Sequence, residues 1–132
     1  MEIKAQFGDV GPENRIAEYW HWVGVALFLL LTVDLLTSLY AGAVVGVEHE
    51  ANPLMQWLLT QPLWLIAAVH IAVGVAVAGL FKLLFVTIQQ ADEPFDTMLG
   101  WFVEVFLGLF ITVGLFVFAN NLFVIVFQES LL

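Results

Sequence analysis

Hydrophobic residues fill three long stretches of the chain, and short polar connections separate them. The stretches cover residues 20–46, 62–88 and 98–127, and a polar segment over residues 1–18 precedes them. An α-helix rises about 1.5 Å per residue and the hydrocarbon core of a bilayer is about 30 Å thick, so about 20 apolar residues cross it. Each stretch is therefore predicted to form a transmembrane helix.

A fourth apolar run, over residues 53–60, is too short to cross a bilayer. It begins at Pro53, and Pro62 follows it, so we expect a short separate helix that lies in the membrane interface or re-enters the membrane. The predicted fold class is an all-α integral membrane protein. It has three transmembrane helices and a short interfacial or re-entrant helix between the first and the second.

The composition excludes a water-soluble core. The chain is 62% hydrophobic and 11% charged, whereas soluble domains are about 45–50% apolar and about 25% charged. Three helices bury few of their own faces, so we expect a homo-oligomer or a partner membrane subunit within the lipid bilayer. The chain has no cysteine, which excludes disulfides, thiolate metal sites and cysteine nucleophiles.

Acidic residues outnumber basic ones twelve to three, for a formal net charge of −9. A surface this acidic argues against a nucleic-acid partner. It fits a halophile, because concentrated salt screens the repulsion between like charges. The alternative is simply an acidic small protein.

The three basic residues indicate an orientation. Lys4 and Arg15 precede the first helix, and Lys82 lies near the end of the second helix on the same side. Because cytoplasmic loops are enriched in Lys and Arg, we predict a multi-pass protein of the cell membrane with a cytoplasmic N-terminus and an external C-terminus.

The first predicted span carries an acid close to the middle of the membrane. Thr37, Ser38 and Ala41 follow Asp34 at spacings of three, four and seven, so all lie on one polar, small-residue face of the helix. In one interpretation Asp34 is protonated or hydrogen-bonded and joins helices. In the other it binds a cation or relays protons.

The second span carries His70, with the small residues Ala67 and Gly74 on the same helical face. Small residues let a neighbouring helix approach closely, which favours a hydrogen-bonded packing role. The alternative is a metal ligand or proton carrier, because imidazole suits transition metals and changes charge easily.

Lys82 and Glu104 lie at equal depth in the second and third spans. Equal depth favours a structural ion pair between the two helices. Lys82 could instead extend to the interface or towards Asp34. Asn120 and Asn121 lie near the outer end of the third span, where polar side chains are tolerated.

The connection after the first span is the densest polar cluster, with Glu48, His49, Glu50 and Asn52 in close succession. Carboxylates, imidazole and amide oxygen can bind a divalent cation, although loop acids are often only solvated. If residues 53–60 dip inwards, this loop closes over the first two spans and forms a polar pocket that opens outside. The candidate metal ligands there are Asp34, Glu50 and His70.

Two short motifs carry a resemblance. Asp34-Leu35-Leu36-Thr37 followed by Glu50-Ala51-Asn52-Pro53 resembles the D-x-x-T…E-x-N-P signature of a family of small prokaryotic membrane proteins of unknown function, common in haloarchaea. The resemblance covers residues 30–85, and Ser38 stands where the family usually has a second threonine. It implies that Asp34, Thr37, Glu50, Asn52 and Pro53 are signature positions, and it implies no known reaction.

No G-x-S-x-G, phosphate-binding glycine loop or zinc-protease motif occurs in the sequence. This favours a non-enzymatic protein, either an accessory subunit or an oligomeric membrane component with a polar intramembrane pocket. The alternatives are an ion- or proton-handling or divalent-metal-binding protein of transporter type, a membrane-embedded metal-dependent hydrolase, and a holin-like pore.

Overall fold

The computed structural model describes residues 12–131, and the regular structure within that range is helical throughout. Part of the predicted polar segment 1–18 therefore lies outside the described residues. The elements in chain order are α1 (Pro12–Leu27), a π-helical segment (Phe28–Val33), α2 (Asp34–Val44), a 3₁₀ turn (Val47–His49), α3 (Pro53–Leu59), α4 (Leu63–Gln90) and α5 (Phe95–Phe127).

Three continuous helical stretches are long and apolar enough to cross a membrane: Asn14–Val44, Leu63–Gln90 and Phe95–Phe127. The first of them joins α1, the π-helical segment and α2, and we refer to it as the first span. The prediction of an all-α fold with three membrane-spanning helices is confirmed. The protein is a small multi-pass membrane protein.

The helix ends follow from local sequence. Asn52 caps α3, because its side-chain Oδ1 accepts hydrogen bonds from the backbone N–H groups of Leu54 (3.0 Å) and Met55 (3.4 Å). Pro53 occupies the first turn, where its missing N–H costs nothing. The first span ends before Gly46, whose φ of 114° is a conformation that other residues rarely adopt.

The first span and α5 run parallel. Tyr19 meets Glu104 near the beginning of both helices, and Ser38 meets Asn121 near their ends. The larger apolar core lies at the first of these ends, where α1, α4 and α5 contribute Tyr19, Val23, Ala26, Phe81, Phe85, Ile88, Val103 and Leu107. A smaller cluster of Met55, Leu58 and Ile66 holds α3 against α4 at the opposite end.

The π-helical segment lies halfway along the first span. The backbone N–H of Asp34 bonds to Leu29 O, five residues earlier, which is one residue more than an α-helical turn contains. Two glycines face this wide turn. A Cβ on Gly114 of α5 would lie 2.9 Å from Leu29 Cβ, and one on Gly74 of α4 would lie 2.9 Å from Leu31 Cδ1. A side chain at Gly114 would therefore collide with the first span, whereas one at Gly74 would displace only the end of the Leu31 side chain.

Candidate functional site

The Asp34 carboxylate is the centre of a polar network inside the membrane. Asp34 is the first residue of α2, and one turn later the Ser38 hydroxyl donates to Asp34 Oδ1 at 3.3 Å. The Thr37 hydroxyl donates to Val33 O at 2.8 Å, so its oxygen still has room to accept. The helical spacing that the sequence indicated therefore brings all three side chains to one face.

Asn121 of α5 completes this network. Its Nδ2 lies 2.8 Å from Thr37 Oγ1, 3.2 Å from Ser38 Oγ and 3.3 Å from Asp34 Oδ1. Ser38 and Asn121 are only 1% and 5% exposed, so the hydrogen bonds are made directly and away from solvent. We define Asp34, Thr37, Ser38 and Asn121 as the Asp34 network.

Sequence reasoning missed Asn121 as a partner of Asp34. The sequence placed the Asn120-Asn121 pair near the end of α5 and gave it no role. The Asn120-Asn121 pair could itself have indicated a hydrogen bond to another helix, because two consecutive side-chain amides in an apolar helix need hydrogen-bonding partners. Asn120 is also buried, and its Oδ1 accepts hydrogen bonds from Leu131 N (2.8 Å) and Ser130 Oγ (3.1 Å), so it ties the chain after α5 back onto the helix.

A cavity of about 340 Å³ lies beside the Asp34 network. Polar groups from the first span, the following connection and α5 line it, namely Asp34, Glu50, Asn52, Asn120 and Asn121. A second void of about 10 Å³ reaches Ser38, His49 and Glu50, which is room for about one water molecule. The loop residues Glu50 and Asn52 thus share a cavity with Asp34.

Glu50 and Asn52 are themselves engaged in local structure. Glu50 Oε1 accepts the backbone N–H of Asn52 at 3.0 Å, and Asn52 caps α3. Glu48 points elsewhere, because its carboxylate lies close to Gly46 and 3.8 Å from His49 Nδ1, and both side chains are well exposed. Of the acids in this connection, Glu50 is the one that faces the Asp34 cavity.

His70 lies on a different cavity from Asp34. Its Nδ1 bonds to Ile66 O, one turn earlier on α4, at 2.8 Å. A carbonyl oxygen only accepts, so Nδ1 donates in this hydrogen bond. The ring lines a cavity of about 150 Å³ together with Asn52, Met55 and Leu58. Asn52 therefore lines both cavities.

No metal centre is evident among residues 12–131, where no three His, Asp or Glu side chains come together as ligands. Across the same residues, every buried side-chain nitrogen or oxygen has a hydrogen-bond partner. The buried polar atoms of the Asp34 network are thus paired with the protein's own groups.

Lys82 and Glu104 do not form an ion pair, in contrast to the prediction. Phe81 and Phe85 occupy the buried face of α4, so Lys82 is turned outwards and is exposed. Glu104 faces α1 instead, where its Oε1 accepts the Tyr19 hydroxyl at 2.8 Å. Lys82 is eight residues before the end of α4 and Glu104 nine residues after the start of α5, but the two side chains point in different directions around their helices.

Comparison of the chain with protein-family models, with curated proteins and with solved structures finds no match.

Proposed function

We propose that the protein is a non-enzymatic component of the membrane, an accessory or oligomeric subunit, in which the Asp34 network sets the packing of the first span against α5. The observation that carries this proposal is the Asn121 amide, which donates directly into the oxygens of Asp34, Thr37 and Ser38. Lipid tails are as apolar as leucine side chains, so the hydrophobic effect does not drive helices together inside a bilayer. Interhelical hydrogen bonds such as these help to hold the helices together instead.

The hydrogen bonds of the network support a structural role. Asp34 Oδ1 accepts from Ser38 of its own helix and from Asn121 of α5, and these bonds hold the carboxylate between the two helices. The oligomeric part of the proposal rests on the exposed surface. Only 17% of the most apolar 18-residue stretch of each span is buried within the chain, so most of each helix surface is available to lipid or to another subunit.

Replacement of Asp34 by asparagine tests this role. The amide oxygen of Asp34→Asn still accepts from Ser38 and Asn121, so we expect an unchanged oligomeric state on size-exclusion chromatography and a thermal midpoint within a few degrees of wild type. Asp92→Asn, an exposed change in the connection between α4 and α5, is the matched control. Loss of assembly in Asp34→Asn, with Asp92→Asn unaffected, would contradict the structural proposal.

A second candidate function is the handling of protons or small cations. The 340 Å³ cavity favours it, because the carboxylates of Asp34 and Glu50 both line this space and an ionisable residue inside the membrane often marks an ion pathway. Proteoliposomes loaded with a pH-sensitive dye distinguish the two functions. Proton or sodium flux that is present in wild type and absent in the folded Asp34→Asn variant would favour ion handling over packing.

Elemental analysis of the purified protein addresses the metal hypotheses. A stoichiometric divalent metal that is lost in both Asp34→Asn and His70→Ala would support a metal-dependent protein and would replace the packing proposal. Equal, substoichiometric metal in all three proteins is the result expected here. A holin-like pore would instead be toxic when the chain is overproduced.

Membership of the family of small prokaryotic membrane proteins that the sequence resembles is part of this proposal. Asp34 and Thr37 belong to the polar network, Glu50 and Asn52 line the cavity beside it, and Pro53 begins α3. We propose that this cavity opens outside the cell and that the N-terminus is cytoplasmic. Cysteine labelling with a membrane-impermeant maleimide, at Glu48→Cys against Asp92→Cys, tests this orientation.

A further inference from the structure

A second, larger groove lies between α1 and α5, at the end opposite the Asp34 network. Its volume is about 510 Å³, which is within the roughly 300–1,000 Å³ of sites that hold small organic ligands. Its lining combines charged, aromatic and aliphatic side chains. We call it the Glu104 groove, after the acid on its wall.

The lining changes from polar to apolar with depth. Arg15 and Glu18 stand in the first two turns of α1, Glu104 lies further along α5, and Leu107 and Ile111 follow at a greater depth. From the start of α5, Glu104 is about 14 Å and Ile111 about 24 Å along the helix at 1.5 Å per residue. This profile matches an amphiphile with a polar head and an apolar tail.

The charges on the wall favour a cationic head. Two carboxylates, Glu18 and Glu104, face one guanidinium, Arg15. In the part of the chain that the structure describes, no Lys, Arg or His forms an ion pair with Glu104. A carboxylate has about four acceptor sites, and the Tyr19 hydroxyl fills one of them. An acid inside a membrane is costly unless a donor or cation complements it.

Trp22 adds a surface that suits a cation without N–H groups. Its indole is 47% exposed and lines the groove. The negative face of an indole ring attracts a quaternary ammonium placed over it. The groove thus offers a carboxylate and an aromatic face to the head, and an aliphatic floor to the tail.

We propose that the Glu104 groove is a binding site for an amphiphilic organic cation, with the ammonium head between Glu104 and Trp22 and the hydrocarbon tail along Leu107 and Ile111. This site is separate from the Asp34 network and does not depend on the function proposed for it.

The probe is radiolabelled dodecyltrimethylammonium, bound to the full-length protein in nanodiscs and measured by equilibrium dialysis with subtraction of empty nanodiscs. We expect saturable binding by wild type and a dissociation constant at least about tenfold higher in Glu104→Gln. Glu129→Gln, which alters an exposed acid after α5, should bind like wild type. Dodecyldimethylamine oxide, which has the same chain and no net charge, should bind no better to wild type than to Glu104→Gln.

A steric variant tests the same site without touching Glu104. Gly108 lines the groove, and a Cβ there would meet no atom within 4 Å. Gly108→Leu should therefore fold and fill the space, and it should abolish saturable binding of the probe. Circular dichroism and size-exclusion chromatography establish that each variant is folded.

Three results would overturn the proposal: no saturable binding above empty nanodiscs, equal affinity in wild type and Glu104→Gln, or unchanged binding in folded Gly108→Leu. Nanodiscs with and without a lipid that carries a quaternary ammonium head group identify the natural source of the head group. Competition by that lipid would support a lipid headgroup in the groove, and undiminished probe binding would support a free amphiphile.

Discussion

The first span and α5 meet at two polar contacts. Each contact contains a carboxylate, but the side chains around the two carboxylates differ. At one end, Asp34 accepts from Ser38 and Asn121, and both donors are buried. At the other end, Glu104 accepts from Tyr19 and lines a 510 Å³ groove. Asp34 thus receives one donor from its own helix and one from its neighbour and lines the smaller cavity, of about 340 Å³, whereas Glu104 receives a single donor and lines the larger one.

Side-chain size explains much of this difference. Ser38 and Asn121 are short, so the helices approach closely around Asp34. At the Glu104 end, the longer side chains of Arg15, Tyr19 and Trp22 line the groove, and Val103 and Leu107 pack in the apolar core beside it. The comparison predicts which substitutions disturb both ends, which disturb one end, and which disturb neither.

The largest effect is expected from Gly114→Leu, which would disturb both ends at once. The added side chain would meet Leu29 Cβ, an atom that cannot move without the backbone. Overpacking of this kind costs about 1–3 kcal/mol, and we expect the upper part of that range in the free energy of unfolding in bicelles. Gly108→Leu is the matched control on the same helix, and equal destabilisation by the two variants would contradict the prediction.

Asn121→Leu should break the Asp34 end alone. Removing the amide leaves the oxygens of Asp34, Thr37 and Ser38 without the donor from α5, at a cost of about 1–2 kcal/mol. The readout is the free energy of unfolding, with Gln89→Leu on the exposed end of α4 as the control. Probe binding in the Glu104 groove should be unaffected, and a matching loss there would show that the two ends are coupled.

Asn52→Ala should loosen α3 beside the Asp34 cavity without breaking the hydrogen bonds of the Asp34 network. The variant loses the cap of α3, which typically contributes about 1 kcal/mol. Hydrogen exchange of the Leu54 and Met55 amides should accelerate, whereas exchange within α2 should not change. Asn14→Ala, at an exposed position in α1, provides the control, and unaltered exchange at Leu54 would count against the cap.

Tyr19→Phe should have the smallest effect on stability, because it removes one hydroxyl beside an open groove. We expect a loss of about 0.5–1 kcal/mol. Tyr40→Phe, at a 58% exposed position, should be neutral in the same thermal melts. A loss from Tyr19→Phe as large as that from Asn121→Leu would mean that the Glu104 end is as tightly held as the Asp34 end.

The fold was predictable because long apolar runs and their interruptions are properties of the sequence alone. The polar face of Asp34, Thr37 and Ser38 was predictable for the same reason, since helical spacing sets it. Asn121 was not predicted as its partner, because sequence spacing contains no information on which residues of separate helices meet. The Lys82–Glu104 pair failed because depth does not determine direction around a helix.

The π-helical segment has a consequence for the geometry of the whole interface. Each α-helical residue turns the side-chain direction by about 100°, so in an unbroken α-helix Ser38 would point about 100° away from Tyr19. The extra residue in the wide turn absorbs about that angle and aims both side chains at α5. The alignment of the two polar ends therefore depends on how many residues separate them. Point substitutions in Phe28–Val33 that keep the wide turn should be tolerated. Deletion of one residue there should be tolerated too, because the remaining separation of 18 residues makes five full turns of a regular α-helix, about 1800°. Substitutions that convert the wide turn to regular α-helix at unchanged length would instead rotate Asp34, Thr37 and Ser38 together out of the contact.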